Sequence, residues 1–173
     1  MGIRKDYAYA RAPSRVALFQ HPIHPMVVVF PIAFLYGALA ADLAYWWFVD
    51  PFWARMAFWL IAAGLTVGLA AALIGMGDFF SIREIRQHVS GWSHFLSGVM
   101  VLSLAAANLQ LRWEAPVATV LPLGLFLSAV TGVMLMITGW LGGTLTFRHS
   151  IGTYGKDTEQ EVVKGHSIAP PKD

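Results

Sequence analysis

His21-Pro22-Ile23-His24-Pro25 runs directly into an apolar stretch, residues 26–48, and the chain is organised outward from that junction. Two histidines three residues apart, each followed by a proline, stand where a long apolar helix is about to begin. Proline fixes its own φ and pushes the preceding residue toward extended geometry, so both histidines are expected in a stiff, non-helical entry segment. Pro25 suits the first position of a helix, because its missing N–H would have had no partner there, and His24 then falls at the cap. The competing reading of the same five residues is a rigid N-terminal stop whose polar groups sit in the lipid headgroup layer.

Composition decides between a soluble and a membrane chain. Of the 173 residues 57% are hydrophobic and 13% charged, with a mean hydropathy of +0.58. Soluble domains are roughly 45–50% apolar and about 25% charged, so this is read as an integral membrane protein with the lipid bilayer as its first partner. The chain has no cysteine, which excludes disulfides, thiolate metal sites, iron–sulfur ligation and covalent c-type haem attachment by its own residues. Any metal must be held by His, carboxylate or Met. A formal charge of +2 gives no reason to expect nucleic acid.

Four apolar spans follow in order. Residues 26–48 are long enough to cross a hydrocarbon core of ~30 Å. They contain Pro31 and one acid, Asp42, and end on the aromatic run Tyr45-Trp46-Trp47-Phe48 before Asp50-Pro51. The second span covers 53–80, the third 92–111 with His94 at its start and Arg112 just past its end, and the fourth 117–145, closing on Gly139-Trp140-Leu141-Gly142-Gly143. Residues 81–90 form a polar linker. Residues 1–20 lack a compact apolar core and a cleavage site, so they are expected to be a basic cytoplasmic segment rather than a cleaved leader. Residues 150–173 are expected to be a polar cytoplasmic tail. No sequence repeat is evident.

Lysine and arginine set the expected orientation. Four lie in the N-terminal segment, two in the linker (Arg83, Arg86) and four at the C-terminal end, against only Arg55 and Arg112 in the other two connections. By the positive-inside rule both termini and the linker are expected in the cytoplasm of a bacterial inner membrane. Short connections make successive spans antiparallel neighbours, so the fold class is all-α, an up-down-up-down four-helix bundle.

That topology gathers His21, His24, His94 and His149 at one end, together with Asp78. His88 and His166 fall in polar segments and are expected to be solvated. A carboxylate near a helix C-terminus is disfavoured by the helix dipole, so Asp78 is expected to find a partner: Arg83, Arg86, a histidine N–H or a metal. His94 at a helix N-terminus is discouraged from protonating, and neutral imidazole is the form that ligates metals. The expected site binds one cofactor through His24, His94 and His149. His21 is a fourth ligand or an outer group, and Asp78 orients one imidazole. Haem b ranks first, with Arg83, Arg86 or Arg148 facing its propionates and Gly68, Gly75, Gly98, Gly132 and Gly139 thinning the helices around a slot. A divalent transition metal ion ranks as the alternative cofactor. A purely structural polar layer is the third possibility. At the other end Asp42 and Arg112 lie about 26 Å from the histidines and at matched depth, so they are expected to pair across the bundle, against a surface pairing of Arg112 with Glu114.

The motifs HPIHP, Gly75-Met76-Gly77-Asp78 at the end of the second span, and Gly-Trp-Leu-Gly-Gly followed by Arg148-His149 resemble the bacterial predicted membrane proteins known as domain of unknown function 2231. The resemblance covers about residues 21–153 and maps onto His21, His24, Asp42, Asp78, His94, Arg112 and His149. Some relatives carry a Rieske-type iron–sulfur domain, which implies electron transfer by analogy. Three functions are therefore carried forward: a membrane b-type haem electron-transfer protein or redox subunit, a non-haem His/Asp metal-binding protein, and a structural accessory subunit of a larger membrane complex. No catalytic residue is assigned.

Overall fold

The chain leaves its first long helix after Phe48 and re-enters helix at Pro51, and that tight return sets the architecture. In the computed structural model, residues 14–19, 21–149 and 151 are described. Two short strands, β1 (Ala17–Leu18) and β2 (His21–Pro22), pair antiparallel and feed α1, Ile23–Phe48. At the far end of α1, Val49 adopts a left-handed conformation (φ 55°) and its N–H closes on the Tyr45 carbonyl at 2.8 Å. Asp50 then caps α2 (Pro51–Ser81) by accepting from Phe52 N–H at 2.9 Å, with Pro51 at the first helical position. A short α3 (Arg83–Gln87) leads to α4 (Val89–Arg112); α5 (Leu125–Gly143) is preceded by Val120–Gly124, which is kinked at the extended Leu121 (φ −109°, ψ 135°), and is continued by a wide helical turn, Thr144–Arg148.

The register is read from close approaches. A Cβ on Gly64 would meet Leu35, one on Gly68 would meet Pro31, and one on Gly75 would meet His24, so α1 and α2 run antiparallel. Asn108 bonds Ser128 while Gly142 lies against His94, so α4 and α5 do the same. The two hairpins face each other around a middle layer of Leu35, Ala38, Ile61, Val101, Ala105 and Leu135. A second apolar cluster, Phe79, Ile82, Ile85, Leu145 and Ile151, closes the end where α3 lies. All four long helices are long and apolar enough to cross a membrane. Trp46, Trp47 and Phe48 point outward where a lipid-facing aromatic belt is expected.

The expected four-helix bundle is present, with shifted boundaries. α1 begins at Ile23, so His24 and Pro25 lie inside its first turn rather than ahead of it. The first-turn N–H groups need no intrahelical partner, so proline is tolerated at any of these positions. α4 begins at Val89, which puts His94 in the second turn and makes His88 the residue that precedes the helix. Its first turn is too polar to register as apolar span. Residues 115–119 form a turn closed by Thr119 onto the Ala115 carbonyl and the kinked segment Val120–Gly124 follows, which delays the regular fourth helix to Leu125. His166 and all but residue 151 of the expected tail lie outside the described residues, as do residues 1–13.

Candidate functional site: a histidine pair between two hairpins

His24 and His94 face each other across the seam between the hairpins. Their ring centroids are 6.3 Å apart and their planes are nearly perpendicular, at 86°. Each ring is held by the other helix of its own hairpin. His24 Nδ1 lies 2.9 Å from the Ala71 carbonyl oxygen on α2, and His94 Nδ1 lies 3.0 Å from the Thr138 carbonyl oxygen on α5. A carbonyl only accepts, so Nδ1 carries the proton in both rings. In the neutral imidazole Nε2 is then a bare lone pair, and among the described residues no protein donor reaches either one. One turn beyond each acceptor a glycine makes room for the ring. A Cβ on Gly75 would stand 2.8 Å from His24 Cε1 and Nδ1, and one on Gly142 would stand 3.0 Å from His94 Cε1.

The other expected members of the site are placed elsewhere. Among the described residues Asp78 takes no hydrogen bond from a histidine ring or an arginine side chain: its carboxylate accepts from Ser14 Oγ at 2.6 Å and from the backbone N–H groups of Arg15 at 2.8 Å and Val16 at 2.9 Å. The partner that a C-terminal carboxylate needs is thus the backbone of the segment that precedes His21, and the role of orienting an imidazole is withdrawn. Gly77 next to it accommodates Val16, so Gly75-Met76-Gly77-Asp78 receives both His24 and the incoming chain. His21 sits on the exposed β2 with Nδ1 2.9 Å from the Phe19 carbonyl. Arg86 caps α2 by donating from Nη1 to the carbonyls of Phe79, at 2.6 Å, and Phe80. Arg83 and Arg148 are exposed.

His149 was expected beside His24 and His94. It stacks instead on His88, with ring centroids 4.3 Å apart and planes 29° from parallel. The cause is the wide turn Thr144–Arg148, which continues α5 past Gly142-Gly143 and carries His149 outward. Desolvation, then His88, then Arg148 push the His149 pKa below its ordinary value. Among the described residues no group of three or more His, Asp and Glu side chains is arranged to hold a metal ion. Of the five glycines expected to line a slot, Gly75 alone meets a histidine; Gly98 and Gly139 face open space, and Gly68 and Gly132 meet aliphatic or tyrosine side chains. Gly142 was missed as a seat, although it stands inside the quoted GWLGG motif.

The opposite end holds a closed network. Arg112 Nη1 and Nη2 donate to Asp42 Oδ1 and Oδ2 at 2.6 and 2.8 Å, and both side chains are fully buried. Arg112 Nε donates to Asn108 Oδ1 at 2.8 Å, Ser128 Oγ donates to Asp42 Oδ2 at 2.6 Å, and Asn108 Nδ2 donates to Ser128 Oγ at 2.9 Å. The expected cross-bundle pairing is present, and the surface alternative with Glu114 is not taken. Ser128, which sequence reasoning did not single out, completes it.

The match to a family model decides the relationship: the predicted membrane protein family DUF2231 covers residues 20–155. The chain belongs to that family. No curated protein and no solved structure matches it. The DUF2231 span takes in the histidine pair, the ion pair and the Gly75–Asp78 receiver, so the motifs that carried the resemblance resolve into contacts between helices.

Proposed function

We propose that this DUF2231 protein binds haem b and transfers electrons in the bacterial inner membrane, and that His24 and His94 are the residues that would hold the haem. The observation that supports this reading is the donor set: two imidazoles from opposite hairpins, each with Nδ1–H tied to a backbone carbonyl and Nε2 unspent. A carbonyl on the second nitrogen is the usual means of fixing a ligand tautomer. The two rings lie close to each other, with centroids 6.3 Å apart, at the seam between the hairpins. A haem held there would supply a one-electron iron couple. The protein's own part is to hold two neutral rings, fix their tautomers and surround them with apolar helix.

The non-haem alternative needs more donors than this pair offers. Structural zinc takes four protein ligands and catalytic zinc three. Asp78 and His149, the expected additions, are engaged with the N-terminal segment and with His88. The remaining alternative, a structural accessory subunit, treats the two imidazole–carbonyl bonds as clasps that lock each hairpin. With the proposed function goes the proposed orientation, both termini cytoplasmic and the histidine end facing inward, and a redox partner or larger complex on that side.

Purification from native membranes followed by oxidised and reduced absorption spectra tests the proposal. The expected result is a haem b band at one haem per chain. Stoichiometric metal without a haem band would move the assignment to the non-haem reading, and neither would leave the structural clasp. Reporter fusions active in the periplasm at Lys156 would reverse the orientation.

A further inference from the structure

The two hairpins bury equivalent positions. On α1 and α4 the buried residues Pro31, Leu35, Ala38 and Asp42 correspond to Val101, Ala105, Asn108 and Arg112 at a constant separation of 70 residues. On α2 and the fourth helix, Ala57, Ile61, Gly64 and Gly68 correspond to Gly124, Ser128, Thr131 and Leu135 at a constant 67. The same two offsets carry His24 onto His94, the acceptor Ala71 onto Thr138, and the seat Gly75 onto Gly142. The bundle is one hairpin used twice, and both the histidine pair and the Asp42–Arg112 pair join equivalent positions of the two copies. The residue identities have diverged at every one of these positions except two: the histidines and the glycines beneath them.

From this we infer that Gly75 and Gly142 are matched positioning residues, each seating one imidazole against its carbonyl, so that the two hairpins would present two equivalent imidazoles to one bound group. The inference rests on the proposed ligand role for what is bound, but the seating itself does not. A methyl at Gly75 would lie 2.8 Å from His24 Nδ1 and one at Gly142 would lie 3.2 Å from His94 Nδ1, inside the space the ring uses to reach its acceptor. Either ring must then swing away, losing the bond that fixes its tautomer. Two equal seats also predict two equal responses.

The experiment compares the full-length variants Gly75→Ala and Gly142→Ala with two kinds of control. Gly98→Ala and Gly139→Ala add a methyl with nothing within 4 Å, and Gly64→Ala crowds Leu35 at 2.9 Å, away from the histidines. Cofactor content is read per chain, and ¹⁵N-histidine NMR reads the tautomers of His24 and His94 without any cofactor. The expected result is a loss of at least about tenfold in bound haem for both seat variants, with the Nδ1–H tautomer lost at the neighbouring histidine only. The controls keep wild-type tautomers, and Gly98→Ala and Gly139→Ala keep wild-type cofactor content. Unchanged tautomers in both seat variants, a response in one seat variant but not the other, or an equal tautomer change in Gly64→Ala would overturn the inference. A wild-type protein that binds no haem and no metal would remove the proposed function. The seating would then stand or fall on the NMR result alone.

Discussion

The two ends of the bundle solve the same problem with opposite chemistry. At each end α1 and α4 bring one polar side chain to equivalent positions, and at the far end these are an acid and a base. Asp42 and Arg112 use both carboxylate oxygens and all three guanidinium nitrogens on each other and on Asn108 and Ser128. That end is self-sufficient. At the near end the two side chains are both histidine, and each has spent its proton on a carbonyl. Two acceptors cannot satisfy each other, so the pair has capacity for a third party. The difference teaches where to look for function in a membrane chain: a polar cluster that closes on itself has no capacity left for a ligand, whereas one left with matched unspent lone pairs is a candidate site.

The largest effect expected from breaking this contrast is at the histidine end. His94→Ala, and equally His24→Ala, should abolish cofactor binding while leaving the protein folded in the membrane, as checked by haem content and detergent extraction. Next comes the ion pair. Asp42→Asn or Arg112→Gln leaves a buried charge unpartnered and should cost about 3–5 kcal/mol of stability. The double variant should cost clearly less than the sum, because the second change removes the stranded charge. Additive losses in that double-mutant cycle, measured by unfolding in detergent or bicelles, would mean the pair is not coupled.

Asp78→Asn should act more weakly. It replaces an anionic acceptor of three hydrogen bonds by an amide with one acceptor oxygen, which should free residues 14–16 at a cost of about 1–3 kcal/mol. Hydrogen exchange at Val16 should rise, with cofactor content nearly unchanged. A large loss of cofactor would restore the role of Asp78 at the histidines. The smallest effect is the pH response of the His88–His149 stack. The His149 pKa is held below its ordinary 6.5, so the unfolded or undocked state binds its proton more readily. The contribution is present above pH 6.5 and is lost as pH falls below it. The exposure of the group keeps it small. His88→Ala should move the His149 titration back upward, read by NMR.

Much of this arrangement was legible in the sequence because hydrocarbon makes polar residues conspicuous. An acid and an arginine at matched depth in two apolar spans had to meet, and Asp42 and Arg112 do. Four spans, their order and the end shared by His24 and His94 followed from apolar length and short connections. The rest depended on what a hydropathy pattern does not carry. Asp78 was sought among the side chains, but its partners are two backbone N–H groups and Ser14, and backbone donors leave no mark in a sequence. His149 was placed by assuming that α5 ended at its glycines, whereas Gly142 is a ring seat and the helix winds on for another turn. The duplicated hairpin was invisible because only the burial pattern repeats; Ile61 matching Ser128, or Ala38 matching Asn108, looks like no repeat at all.

The most direct test of the central claim, that His24 and His94 jointly hold one cofactor, is electron paramagnetic resonance of the oxidised protein from native membranes, alongside its single-histidine variants. The account predicts one low-spin iron per chain with a bis-imidazole signature, lost when either His24 or His94 is replaced by alanine and retained when His149 is. Iron with a spectrum indifferent to both replacements, or a fully folded protein with no iron, would contradict it.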